Sequence, residues 1–84
     1  MAKAQALRLA DVRSALTSGE AERLRVAAQL SIGEVAQACG VDQSTVWRWE
    51  RGTRKPRGEA ALAYGALLEE LRQRSSSVDE RETA

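Results

Sequence analysis

The chain contains no histidine, no phenylalanine, one proline (Pro56) and one cysteine (Cys39). A single cysteine cannot form an internal disulfide framework, and with no histidine the usual zinc ligand sets are excluded. There is no nucleophile–base pair and no cluster of potential metal ligands, so no enzyme and no cofactor is expected. No long apolar run is present. The stretch 1–9 carries one Lys and one Arg among alanines, which is expected to be neither a signal peptide nor a membrane span. The lone cysteine fits a reducing compartment, and the expected location is the cytoplasm. With 84 residues there is room for one domain with a modest core, and none for a separate catalytic unit.

Charge of one sign is also scarce overall: 13 basic residues face 12 acidic ones, a net charge of +1. The distribution along the chain is more informative. Residues 1–22 balance, with three of each sign; residues 23–57 hold seven basic and three acidic, a net of +4; residues 58–84 hold three basic and six acidic, a net of −3. Arg48, Arg51, Arg54, Lys55 and Arg57 concentrate the positive charge. Such a cluster can bind phosphate in a nearly neutral chain. On charge alone, a solvated basic loop accounts for it equally well.

What the chain does have is Ala, Leu, Glu and Arg, without β-branched runs. This predicts an all-α fold of about five helices. A first helix over 4–16 carries an apolar stripe of Leu9, Val12 and Leu16. A second, over 20–29, has Ser18 or Gly19 as its cap, Glu20 and Glu22 in its first turn, and Leu24, Ala27 and Ala28 as its apolar face. Ser31 followed by Glu34 has capping-box spacing and opens a third helix, which carries Val35, Ala36 and Cys39 inward and stops at Gly40. Asp42 is the expected N-cap of a fourth helix, Gln43–Arg51, ended by Gly52. A loop over 53–57 follows, in which Pro56 blocks continuation. The last helix is expected over 59–73, with Leu62, Leu67, Leu71 and either Ala63 or Tyr64 inward. Residues 75–84 are polar, without apolar periodicity, and are expected to form a disordered tail after a domain spanning 1–74.

Two short helices joined through Cys39, Gly40, Val41 and Asp42 have the spacing of a helix-turn-helix. The glycine reverses the chain, and Val41 plugs the junction. On the wheel of the fourth helix, Val46 and Trp49 point inward. Gln43, Ser44, Trp47, Arg48 and Arg51 point outward. Arg reads guanine and Gln reads adenine through bidentate bonds, while Ser serves either. Free N–H groups at a helix start also suit a phosphate.

Residues 30–56, LSIGEVAQACGVDQSTVWRWERGTRKP, closely resemble the XRE family, the helix-turn-helix domains of Cro and lambda-type repressors. The matching positions are Arg25, Leu30, Ser31, Glu34, Val35, Ala36, Gly40, Val41, Ser44, Thr45, Val46, Trp49, Glu50, Gly52 and Pro56. The resemblance covers about residues 20–71 and leaves the N-terminal helix outside; the chain looks like small regulators of actinobacteria and their phages. It implies a lambda-repressor-like bundle and base contacts from Gln43, Ser44, Trp47 and Arg48, with Trp47 pressing on a thymine methyl or a sugar. It implies phosphate contacts from Ser31, from the position of Ile32 and from the loop of Gly52, Thr53, Arg54 and Lys55; Thr45, Arg51 and Arg57 are further expected phosphate contacts. It makes Arg25 and Glu50 a structural pair. Many members carry Gln where this chain has Ile32, which can act only through its backbone N–H.

Plainer readings stand beside these. Arg48 can be an ordinary surface arginine, Gln43 and Ser44 can merely serve a first helical turn, and Trp47 can be covered by the N-terminal helix or a partner chain. Cys39 reads as a small buried hydrophobe. The N-terminal stripe can pack on its own domain or form a dimer interface, and the first is favoured. The implied function is a sequence-specific transcriptional regulator, Cro-like or repressor, phage or plasmid related. It would bind a double-stranded operator, with a homodimer forming on DNA. Two other classes remain: an antitoxin-type module that binds a protein through its tail, and an excision or DNA-architectural factor. The acidic tail lacks large apolar anchors, and no strand signal follows Gly52 to make a wing.

Overall fold

The computed structural model describes the backbone of residues 2–83 and the side chains of residues 2–76. The element order is α1 (Lys3–Ser18), α2 (Glu20–Ala27), α3 (Ile32–Cys39), α4 (Gln43–Arg51) and α5 (Gly58–Thr83). Among the described residues there is no strand. No helix is long and apolar enough to cross a membrane.

Three glycines set the direction changes. Gly19, Gly40 and Gly52 have φ of 84°, 72° and 78°, a left-handed backbone that other residues adopt only with strain. Each donates its N–H to carbonyls of the helix it ends. Ser31 forms the expected capping box: its Oγ accepts from the Glu34 N–H at 3.0 Å, and the Glu34 carboxylate accepts from the Ser31 N–H at 2.9 Å. The bond from the Ser31 N–H, helped by the nearby Ser31 hydroxyl, holds the Glu34 carboxyl below the usual carboxylate range.

Asp42 departs from expectation. It occupies the N-cap of α4 with extended backbone, but its side chain makes no cap bond. The Thr45 N–H goes instead to the Asp42 carbonyl, at 3.0 Å. The carboxylate has therefore lost its usual target to the backbone.

The core is drawn from all five helices. Val12, Ala15, Ala21, Val35, Ala36, Cys39, Val46, Trp49, Tyr64 and Leu68 are buried in one cluster. Trp49 and Tyr64 stack at its centre, with ring centroids 5.2 Å apart and planes 27° from parallel. Burial lifts the Cys39 thiol to about 11, so it stays protonated at neutral pH and packs as a hydrophobe.

Three sequence expectations are corrected. The buried face of α5 is Ala61, Tyr64, Leu68 and Leu71, while Leu62 and Leu67 are only half-buried. That helix is rich in Ala and Leu on several faces, so composition does not single out the face that docks. On α2 the buried residue is Ala21, with Leu24 and Ala28 half-buried and Ala27 exposed. Finally, the segment 75–83, expected as a disordered tail, continues α5 as far as Thr83. No Gly or Pro follows Gly65 to interrupt the helix, and Glu and Arg favour its continuation. Ala84 lies outside the described residues.

The N-terminal helix packs on its own domain. Leu9, Val12 and Ala15 of α1 are buried against the body, and Leu16 is partly so. Gly65 marks the closest approach of α1 and α5: a Cβ there would lie 2.7 Å from Cγ of Arg8 and 3.0 Å from Cγ2 of Val12. Arg72 of α5 then ties three helices together. It donates to Asp11 of α1 at 2.9 and 3.2 Å, and to Glu20 of α2 at 2.8 and 3.2 Å.

Two outcomes test this arrangement. Gly65→Val should overpack the α1–α5 crossing and cost about 1–3 kcal/mol in chemical denaturation. The second concerns acid. The hydrogen bond from Arg72 holds the Glu20 carboxyl below its ordinary value of 4.5. A lowered carboxyl contributes stability above its unfolded pKa and loses it as pH falls through its folded one. Melting curves should show wild type above Arg72→Met near neutrality, with the gap closing as pH falls below about 4.5.

Candidate nucleic-acid interface

The amphipathic sorting of α4 generates the site. Val46 and Trp49 are buried, which fixes the rotation of the helix about its axis. Gln43, Ser44, Trp47, Arg48 and Arg51 are thereby turned outward, and all five are exposed. Thr45 lies at the edge, half-buried.

The far end of α4 is held by an ion pair. Nε and Nη2 of Arg25 on α2 donate to the Glu50 carboxylate at 2.7 and 3.0 Å, a bidentate arrangement. Nη1 of Arg25 also donates to the Leu30 carbonyl at 3.1 Å, so one guanidinium joins α2, the residue just before the cap of α3, and the end of α4. The side chains are only 14% and 7% exposed. The carboxylate hydrogen bonds raise the Arg25 pKa against the opposing effect of burial. The sequence-stated pair is therefore present, with an additional carbonyl bond that the motif does not announce.

The outward face of α4 forms one patch with α3. Ile32 of α3 lines an open depression together with Gln43, Ser44, Trp47 and Arg48 of α4. Trp47 is 47% exposed, so among the described residues α1 does not bury it. The Arg51 guanidinium sits 5.0 Å from the centre of its ring, a cation–π contact that restrains both. Gly33 lies against this patch as well: a Cβ there would stand 2.9 Å from Oε1 of Gln43.

The flank supplies phosphate-binding chemistry. At the start of α3 the Glu34 and Val35 N–H groups are taken by Oγ and the carbonyl of Ser31. Those of Ile32 and Gly33 remain for an anion, as the first groups of a helix lacking internal partners. The Ser31 N–H is engaged by Glu34, so Ser31 offers only its hydroxyl.

Beyond Gly52, Thr53 turns back on α4. Its N–H donates to the Arg48 carbonyl at 3.0 Å and its hydroxyl to the same atom at 3.4 Å. Thr53 thus closes the helix as well as opening the loop. Arg54, Lys55 and Arg57 are exposed, and none of them is in an ion pair among the described residues. Pro56 between them is buried. Two features of the site escaped sequence reasoning: the Trp47–Arg51 contact, for which the four-residue spacing was available, and a bond from α1 to the Pro56 carbonyl, for which nothing local was.

Against known families, the model described as "Helix-turn-helix domain" matches residues 18–68. The chain belongs to the helix-turn-helix domain family. The match takes in α2, α3, α4, the basic loop and the first part of α5, and leaves out almost all of α1. No curated protein and no solved structure matches the chain with significance.

The Arg25–Glu50 pair makes a direct prediction. Arg25→Met should leave an unpaired, mostly buried carboxylate and cost somewhat less than the about 3–5 kcal/mol of a fully buried pair. Arg25→Met combined with Glu50→Met should cost less than the single change, as read from urea midpoints.

Proposed function

We propose that the protein is a sequence-specific, double-stranded DNA-binding transcriptional regulator of the Cro-like or repressor kind, acting by occupying an operator. The observation that carries this reading is the outward face of α4, where Gln43, Ser44, Trp47 and Arg48 stand exposed in one patch beside a basic loop. In this reading α4 enters the major groove by its N-terminal end. Arg48 reads guanine, Gln43 reads adenine, Ser44 adjusts to either, and Trp47 presses on a thymine methyl or a sugar. Arg54, Lys55 and Arg57 hold the backbone, joined by Arg51, the α3 start at Ser31 and Ile32, and the edge residue Thr45. Thr53 contributes chiefly by shaping the loop. Binding of this kind needs no cofactor and no catalysis. Two copies on a pseudo-palindrome would place their helices about 34 Å apart. A regulator from a phage or plasmid, working in the cytoplasm, fits this reading.

Selection from a random duplex library tests it. Wild type should enrich one short motif, and Arg48→Ala should lose a guanine preference at one position. Replacing Arg54 and Lys55 together by Ala should weaken binding to all sequences and flatten the log–log salt slope by roughly 2. Enrichment of nothing by wild type, with only weak duplex binding at low salt, would overturn sequence-specific readout.

A further inference from the structure

The basic loop is poorly supported by its own backbone. Thr53 is consumed in capping α4, and Pro56 has no N–H to give. Among the described residues, the only hydrogen bonds made to the segment 54–57 come from one side chain, 43 residues away in sequence. Nε and Nη2 of Arg13 both donate to the Pro56 carbonyl, at 3.3 and 3.1 Å. Arg13 is half-buried on α1, and it lines a crevice with Leu16, Trp49 and Pro56. Its anchorage is rigid, because Val12 and Ala15 on either side of it are buried in the core.

From this geometry we propose that Arg13 is a positioning residue for DNA binding. From a helix outside the helix-turn-helix match, it holds the loop 54–57 so that Arg54, Lys55 and Arg57 are preorganised toward the phosphate backbone. The proposal rests on the DNA-binding reading above. A loop ordered before binding avoids the entropy of ordering at that moment, so affinity rises without any contact between the bracing group and the ligand. The fork geometry matters: guanidinium places two N–H groups on one carbonyl, which an ammonium cannot match.

Four proteins test the inference: wild type, Arg13→Met, the Arg54→Ala/Lys55→Ala double variant, and the triple combination. Each is titrated with one 20-base-pair duplex at low salt. Arg13→Met keeps an apolar stem and removes the donors; it should weaken binding about three- to tenfold, the worth of a hydrogen bond or two. In the Arg54→Ala/Lys55→Ala background the same change should have a clearly smaller effect, because two of the three residues through which Arg13 acts are gone and only Arg57 remains. Without DNA, the nitrogen-15 order parameters of the amides of Arg54, Lys55 and Arg57 should fall in Arg13→Met, while hydrogen exchange shows α3 and α4 still protected.

An undiminished affinity in Arg13→Met overturns the proposal. So does an equal loss in both backgrounds, which would show Arg13 acting by its own charge or through the whole fold. Loss of protection throughout α3 and α4 would assign Arg13 to general stability. Failure of wild type to bind any duplex would overturn the DNA-binding reading and this role with it. The order parameters of the loop would then still report whether the brace exists.

Discussion

A nine-residue helix does not stand by itself in water, because the cost of nucleation exceeds what so few backbone bonds return. The outward face of α4 therefore exists only because its inward face is fixed. Val46 and Trp49 supply that fixation, and the stack of Trp49 on Tyr64 carries it into α5. Yet apolar contact alone leaves a helix free to slide or rock. The bidentate bond between Arg25 and Glu50 has direction, and it acts at the end of α4 opposite Gln43. Rotation set by burial and tilt set by an ion pair together aim Gln43 and Arg48.

The near-zero net charge conceals a division of labour among the arginines. Arg13, Arg25 and Arg72 point at carbonyls or carboxylates of the protein and join elements distant in sequence. Arg48, Arg51, Arg54 and Arg57 are exposed beside the patch on α4 or in its adjoining loop. Guanidinium suits both tasks, since its planar fork matches a carboxylate, a pair of acceptors or a phosphate with equal ease. What separates the two groups is the neighbourhood each occupies.

What the sequence disclosed was what short-range chemistry decides. Ser31 with Glu34, the left-handed glycines at 40 and 52, and the three-residue spacing of Val46 and Trp49 each act within about one turn, and each was legible. The register of α5 was not. In a segment with Ala or Leu at 60, 61, 62, 63, 66, 67 and 68, several faces satisfy the helical period, and docking against Val12 through the gap at Gly65 selects among them. The polar composition of 75–83 was read as disorder, whereas the backbone continues as helix where nothing breaks it. Arg13 and Arg72 lay beyond reach because their partners are 43, 52 and 61 residues away.

The placement of α1 also bears on what its apolar stripe is for. The stripe of Leu9, Val12 and Leu16 was open to two uses, and the structure packs it on its own domain: Leu9 is 6% exposed, Val12 is fully covered and Leu16 is partly buried against the core. A surface already buried in its own domain has no apolar area left to release on association. The buried part of this stripe is therefore not a surface for pairing two copies. The same helix that enlarges the core also donates Arg13 to the loop after α4. An element lying almost entirely outside the family match has thus been built into the domain at both its core and its basic edge, and removing it would disturb both.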